Sequence, residues 1–216
     1  MGIPFVLRAL PTPPVQLVTG AWRDDADLRA RVEAALRGGI RWVQLRAKER
    51  STRELHLAAL LVAPILRDAG ALFVVNDRAD VAQAVGAGGV HLPENGMSAL
   101  DARRQLGADA WVARSIHSAR AVGSDASLEA DALQLGPVFD TASKREFGAP
   151  LGLAVLRDAA EAASGVPIIA VGGVSAASAA RCREAGARAV AVIGSVWDAA
   201  DVESAARKLI ASLGLS

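Results

Sequence analysis

A short apolar or β-branched run followed by a longer alanine-rich helical stretch recurs about every 20 to 30 residues, and eight such units fill the chain. The predicted strands are 15–19, 41–45, 72–75, 89–92, 110–113, 132–135, 166–171 and 189–193. Helices are predicted over 28–36, from a Ser51 or Thr52 cap to about Ala69 with Glu54 in the first turn, over 80–85, and from a Ser98 cap to Leu106. Ser118 leads into a short helix, 151–163 is helical, Ser175 caps a helix to Ala185, and 198–213 closes the ring. Eight strand–helix units without a linker predict an α/β chain closed as a (β/α)₈ TIM barrel. It reads as one domain over residues 1–216, with an irregular N-terminal segment over 1–14. A doubly wound open sheet is the competitor, but it carries a Gly-rich turn after its first strand. Thr19-Gly20-Ala21-Trp22 is not that fingerprint.

The 216 residues suit one such barrel, and a 52% hydrophobic content supplies its core. A net charge of +1 offers no general field for nucleic acid or an anionic membrane, so neither is an expected partner. Cys182 is the single cysteine and forms no internal disulfide. Phe5-Val6-Leu7 is cut short by Arg8 and prolines, which is not a signal pattern, and no apolar run reaches bilayer length. The expected location is the cytoplasm, and a homodimer is the expected assembly.

In a barrel of this kind chemistry gathers where strands end. Gln44, Arg46 and Lys48 follow strand two, Asn76, Asp77 and Arg78 strand three, and His91 lies in strand four. Arg114, Ser115 and His117 follow strand five, and Thr141, Ser143 and Lys144 lie in the loop after strand six. Gly172-Gly173 and Gly194-Ser195 end strands seven and eight. Without side chains the backbone there can aim N–H groups at an anion, which makes those two loops the expected phosphate grip. Lys48 and Lys144 are placed to neutralise a carboxylate or phosphate. His91 reads as a core histidine, Trp22 and Trp111 as packing, and nothing functional attaches to His56.

The runs Val43 to Lys48, Val75 to Arg78, Gly89 to Leu92, Gly136 to Lys144 and Val171 to Val174 resemble the thiamine phosphate synthase superfamily, in that family's order. The resemblance implies one of two activities. The synthase joins a pyrimidine diphosphate to a thiazole phosphate with Mg²⁺, and the thiazole tautomerase moves a proton on a thiazole carboxylate phosphate without a cofactor. In the synthase pattern Asp77 would be the first Mg²⁺ carboxylate, and the second falls where this chain has Gly96; Glu94, two residues earlier, is the substitute. Asp77 could instead pair with Arg78 or Lys48. Gly194 also stands where the synthase pattern usually has a serine.

Arg114-Ser115-Ile116-His117-Ser118 resembles the tautomerase run, in which the histidine is the proton shuttle. Imidazole can take and return a proton near neutral pH. The expectation is therefore a tautomerase-like isomerase of thiamine biosynthesis acting on a small phosphorylated thiazole, with His117 catalytic. Gln44, Arg46, Lys48, Asn76, Arg114, Ser115, Thr141, Ser143 and Lys144 would contact substrate, and Gly172, Gly173, Gly194 and Ser195 would hold phosphate. The alternatives are the Mg²⁺-dependent synthase and a non-catalytic sensor of thiamine phosphates.

Overall fold

The computed structural model describes residues 7–124, 129–141 and 149–214. Its elements run β1 (Val15–Val18), α1 (Asp25–Arg37), β2 (Trp42–Leu45), α2 (Thr52–Asp68), β3 (Leu72–Asn76), α3 (Ala79–Ala84), β4 (Gly89–Leu92) and α4 (Ala99–Leu106). They continue with β5 (Trp111–Ile116), a 3₁₀ turn (Ala119–Ala121), β6 (Ala132–Leu135), α5 (Gly152–Ala162), β7 (Ile168–Val171), α6 (Ala179–Glu184), β8 (Ala189–Val192), α7 (Gly194–Trp197) and α8 (Val202–Ser212). All strands pair in parallel in sequence order, and β1 also pairs with β8, which closes the barrel. Both faces of a closed parallel sheet are covered, so the strands read as continuous apolar runs rather than alternating ones.

Helix starts follow local chemistry. Asp24 caps α1 by accepting from the Asp27 amide. Ser51 and Glu54 form a reciprocal capping box on α2. Four details differ from the sequence reading. β5 runs on to Ile116, because Arg114 and Ser115 are polar but still hydrogen-bonded into the ladder. The helix expected after Ser118 is only a single 3₁₀ turn. Ser175 does not cap α6; its amide donates to the Ser178 hydroxyl and α6 begins at Ala179. The last helix is two, α7 directly after β8 and then α8, whose first turn is capped by Asp201.

The core has an outer layer between sheet and helices and an inner cluster of Val18, Trp42, Val74, Trp111, Ala113, Ala132, Ile169, Ala189 and Ala191. Trp42 and Trp111 meet edge to face, 4.8 Å between centroids. Alanines elsewhere in the cluster leave room for two indoles. Gly89 leaves more: a Cβ there would lie 2.0 Å from the Trp111 carbonyl oxygen. Leu10, from the N-terminal segment, packs against this cluster.

Asp131, just before β6, is fully buried and ties that segment to the barrel. It accepts from the Val112 amide at 2.8 Å, from Arg103 at 2.6 Å and from the Arg8 amide at 3.1 Å. Removing one partner of such a pair leaves an uncompensated buried charge. Asp131→Ala is expected to lower the unfolding free energy by about 3–5 kcal/mol. Urea unfolding of the variant and the parent reads it directly, and a loss under about 1 kcal/mol would show that water replaces the carboxylate.

Candidate active site

A cavity of about 1060 Å³ opens at the carboxyl ends of the strands. Strand alternation decides which side chains reach it. On β2, Gln44 faces inward with Trp42, and Arg46 and Lys48 follow at the rim. Asn76 and Asp77 come from the end of β3, His91 and Glu94 from β4 and its loop, Ser115 and His117 from β5. Thr141 and the pairs Gly172-Gly173 and Gly194-Ser195 complete the wall. The structure thus brings together the expected site residues with three exceptions. Ser143 and Lys144 lie outside the described residues. Arg114 faces the other way.

That orientation follows from pairing. Arg114 is in register with Leu92 of β4 and Leu133 of β6, both of the outer layer, whereas Ser115 is in register with Gln134, which lines the cavity. The Arg114 guanidinium is buried and donates to the carbonyls of Pro93 (2.9 Å), Glu94 (3.0 Å) and Met97. The sequence reading ended the strand at residue 113 and so missed the alternation that turns 115 and 117 inward and 114 outward.

The floor is polar and buried. Gln44, His91 and Gln134 are all buried. His91 Nε2 lies 2.8 Å from the Ser115 hydroxyl. Burial, with added repulsion from Arg46 and Arg114, pushes its pKa down to about 3. Gln44 Nε2, His91 Nδ1 and Gln134 Oε1 have no hydrogen-bond partner among the described residues. Gln134 was not among the expected residues; its signal was an amide in an otherwise apolar strand.

The rim is charged. Thr19 brackets Arg46, its hydroxyl accepting from the Arg46 amide at 2.9 Å and donating to the Arg46 carbonyl at 3.0 Å. Arg50, also unexpected, stacks over Trp22 at 4.4 Å and donates to its carbonyl. Asp77 has a left-handed backbone (φ 65°), a conformation that Asp tolerates better than most residues. Its amide donates to the His91 carbonyl at 2.7 Å. Its carboxylate forms no ion pair among the described residues; Arg78 binds Asp80 and Thr52 instead. Glu94 meets His117, with Oε2 2.8 Å from Nδ1 and Oε1 accepting from the His117 amide at 3.4 Å.

The glycine loops need to be glycine. Gly172 and Gly173 both have positive φ, and a Cβ would come 2.6 Å from Pro137 Cα in the first case and 2.6 Å from the Asp140 carbonyl oxygen in the second. Ser195 donates to the Val174 carbonyl at 2.8 Å, joining the two loops. Behind them Trp197 donates to the Ala21 carbonyl at 2.7 Å, and Arg31 holds the Trp197 carbonyl. The Gly194 and Ser195 amides open α7 and so have no intrahelical acceptor.

A magnesium ion was the cofactor expected of the synthase alternative. Among the described residues no three His, Cys, Asp or Glu side chains gather as a metal cluster. Mg²⁺ does not need one, since it commonly takes one or two carboxylates and draws its other oxygens from water and substrate phosphates. The unpaired Asp77 carboxylate fits that pattern. Position 96 could not supply another without rearrangement, because a Cβ on Gly96 would lie 2.7 Å from the Pro93 ring.

The folded pKa of His91 is below its unfolded value of 6.5, so the unfolded chain binds the extra proton between about pH 3 and 6.5. Stability is therefore expected to fall with falling pH across that window, His91 contributing up to about 1.4 kcal/mol per pH unit. Urea titrations from pH 7 to 4 on the parent and His91→Gln check this: equal slopes would show that His91 is not the group responsible.

The geometry can be set beside known proteins. The family model described as thiamine monophosphate synthase matches residues 15–196. A thiamine-phosphate synthase of Methanoculleus marisnigri is 44% identical over 190 residues, 88% of each chain, and one of Laribacter hongkongensis is 41% identical over 84% of this chain and 85% of its own. The thiamine phosphate pyrophosphorylase structure from Pyrococcus furiosus superposes with a TM-score of 0.79 at 30% identity, covering 93% of this chain and 95% of that one. These likenesses overturn the tautomerase expectation. The run from Arg114 to Ser118 therefore does not set the branch, and Arg114 itself does not line the cavity. The chain belongs to the thiamine monophosphate synthase family.

Proposed function

We propose that the chain is a thiamine phosphate synthase. It would join hydroxymethylpyrimidine diphosphate to thiazole phosphate, the thiazole nitrogen forming a bond to the pyrimidine methylene carbon as the carbon–oxygen bond to diphosphate breaks. The observation that carries this reading is the pairing of Arg46 and Lys48 with an unpaired carboxylate, Asp77, on one cavity wall. A diphosphate leaving group needs cations to take up its charge. A carboxylate among those cations makes sense when a metal sits between it and the phosphates. Asp77 would hold Mg²⁺ together with diphosphate oxygens, Glu94 being engaged by His117. When bound, the ion would neutralise charge that develops on the leaving group.

The remaining residues divide by chemistry. Gln44 Nε2 and Gln134 Oε1, buried without protein partners, offer a donor and an acceptor to a flat heteroaromatic ring on the floor. Asn76, Ser115 and Thr141 ring that floor. Ser143 and Lys144, outside the described residues, would also contact substrate. The amides of Gly173, Gly194 and Ser195 would take the thiazole phosphate, with Gly172 giving the loop its turn. His117, held by Glu94, stands at the rim with Nε2 free of protein partners.

Incubation with the two substrates is expected to give thiamine phosphate and diphosphate in a reaction that EDTA abolishes and Mg²⁺ restores. Asp77→Asn is expected to lower kcat by about 10²-fold or more, the scale of losing one electrostatic contact to a transition state. Undiminished turnover in EDTA, or no product with both substrates present, would remove the proposal.

A further inference from the structure

Two guanidiniums are buried in this barrel, and they are treated differently. Arg103 meets the Asp131 carboxylate. Arg114 has no ion pair among the described residues and spends its donors on three carbonyls, those of Pro93, Glu94 and Met97. A buried cation whose hydrogen bonds all go to neutral carbonyls is a costly way to fill space between sheet and helix, and the charge it senses is the Glu94 carboxylate. Its contacts show where its effect goes. All three carbonyls belong to the connection from β4 to α4. Within it the Gly96 amide donates to the Pro93 carbonyl at 3.1 Å, closing a tight turn that carries Glu94.

Glu94 is thereby held twice from the same strand. Arg114 grips its backbone from the outer face, and three residues on His117 grips its carboxylate at the cavity rim, at 2.8 Å through Nδ1. We infer that Arg114 is a positioning residue acting through Glu94. It fixes the 93–97 turn so that the carboxylate holds the His117 ring at the rim, with Nε2 free of protein partners. The inference rests on the synthase reading only for its activity measurement.

A double-mutant cycle tests it. Arg114→Met is expected to lower kcat for thiamine phosphate formation roughly tenfold with KM within about twofold, the scale seen when a partner of a site residue is lost. In a Glu94→Ala background the same substitution is expected to change kcat by less than about twofold, because the residue it acts through is already gone. Arg114→Lys keeps the charge and is expected to recover part of the loss; it carries the cycle if Arg114→Met does not fold. Losses that multiply across the cycle overturn the inference, as does a rise confined to KM, which would place Arg114 on substrate. A crystal structure of Arg114→Met, or of Arg114→Lys in its place, reads the geometry whatever the turnover. The Glu94–His117 contact is expected to be lost or lengthened, and its survival at 2.8 Å overturns the inference. Failure of the parent protein to make thiamine phosphate would sink the synthase reading while leaving this structural arm decisive.

Discussion

Closure of the parallel ladder between β8 and β1 is the constraint on which everything else depends. Once the sheet has no edge, each strand residue faces either the axis or the helices, and a register partner shares its side. Gln16 aligns with Ala191, Gln44 with Val18 and Val74, and His91 with Asn76 and Ala113. The inner set therefore makes one continuous column. At one level it is indoles and alanines, a packed core. At the carboxyl ends of the strands it becomes amides, an imidazole and charges, lining the site. Core and site are the same set of positions read at different heights, so a shift of one residue in any strand would damage both.

That continuity has an energetic consequence. Gln16 is fully buried with neither amide atom bonded to protein, and the indole nitrogens of Trp42 and Trp111 are also without protein partners. Each such group carries a desolvation cost of about 1–3 kcal/mol unless water or a ligand meets it. In the proposed reaction Gln44 and Gln134, which line the cavity, would present such groups to substrate, whereas Gln16 does not line it.

How much of this the sequence shows depends on the type of signal. Apolar runs and alanine-rich stretches locate all eight strands, because burial on both faces leaves no alternation to confuse them. The end of β5 escapes that rule: Arg114 and Ser115 look like loop residues, and only the ladder keeps them in the strand. The same error put Arg114 in the site; the tautomerase expectation rested on the Arg114 to Ser118 run and on Gly96 in place of a second carboxylate. Gly172 and Gly173 were legible because a positive φ beside a neighbouring loop admits little else. The contact between Glu94 and His117 was not. It joins residues 23 apart through a turn whose shape depends on Arg114, Pro93 and Gly96 together, and no local pattern encodes it. Arg50 is an ordinary residue locally, and the barrel alone gives it a place on the wall; Gln134 carried a signal, its amide in an apolar strand, that was overlooked.

The electrostatics of the site follow from the same packing. Arg46 and Arg114 lie on opposite sides of the sheet, yet both disfavour a proton on His91, which burial already keeps neutral. Burial, the largest cause of that shift, disfavours charge of either sign at the floor. At the rim, where Arg46 and Lys48 face the cavity, their positive charges favour an anion. A neutral floor beneath a cationic rim also separates the two halves of the task. In the proposed reaction flat, uncharged rings would settle on Gln44, His91 and Gln134, and phosphates would stay above with the arginine, the lysine and the glycine amides. Asp77, Glu94 and Asp198 are carboxylates that line this cavity, and the first two are treated differently: Asp77 forms no ion pair among the described residues, and His117 holds Glu94.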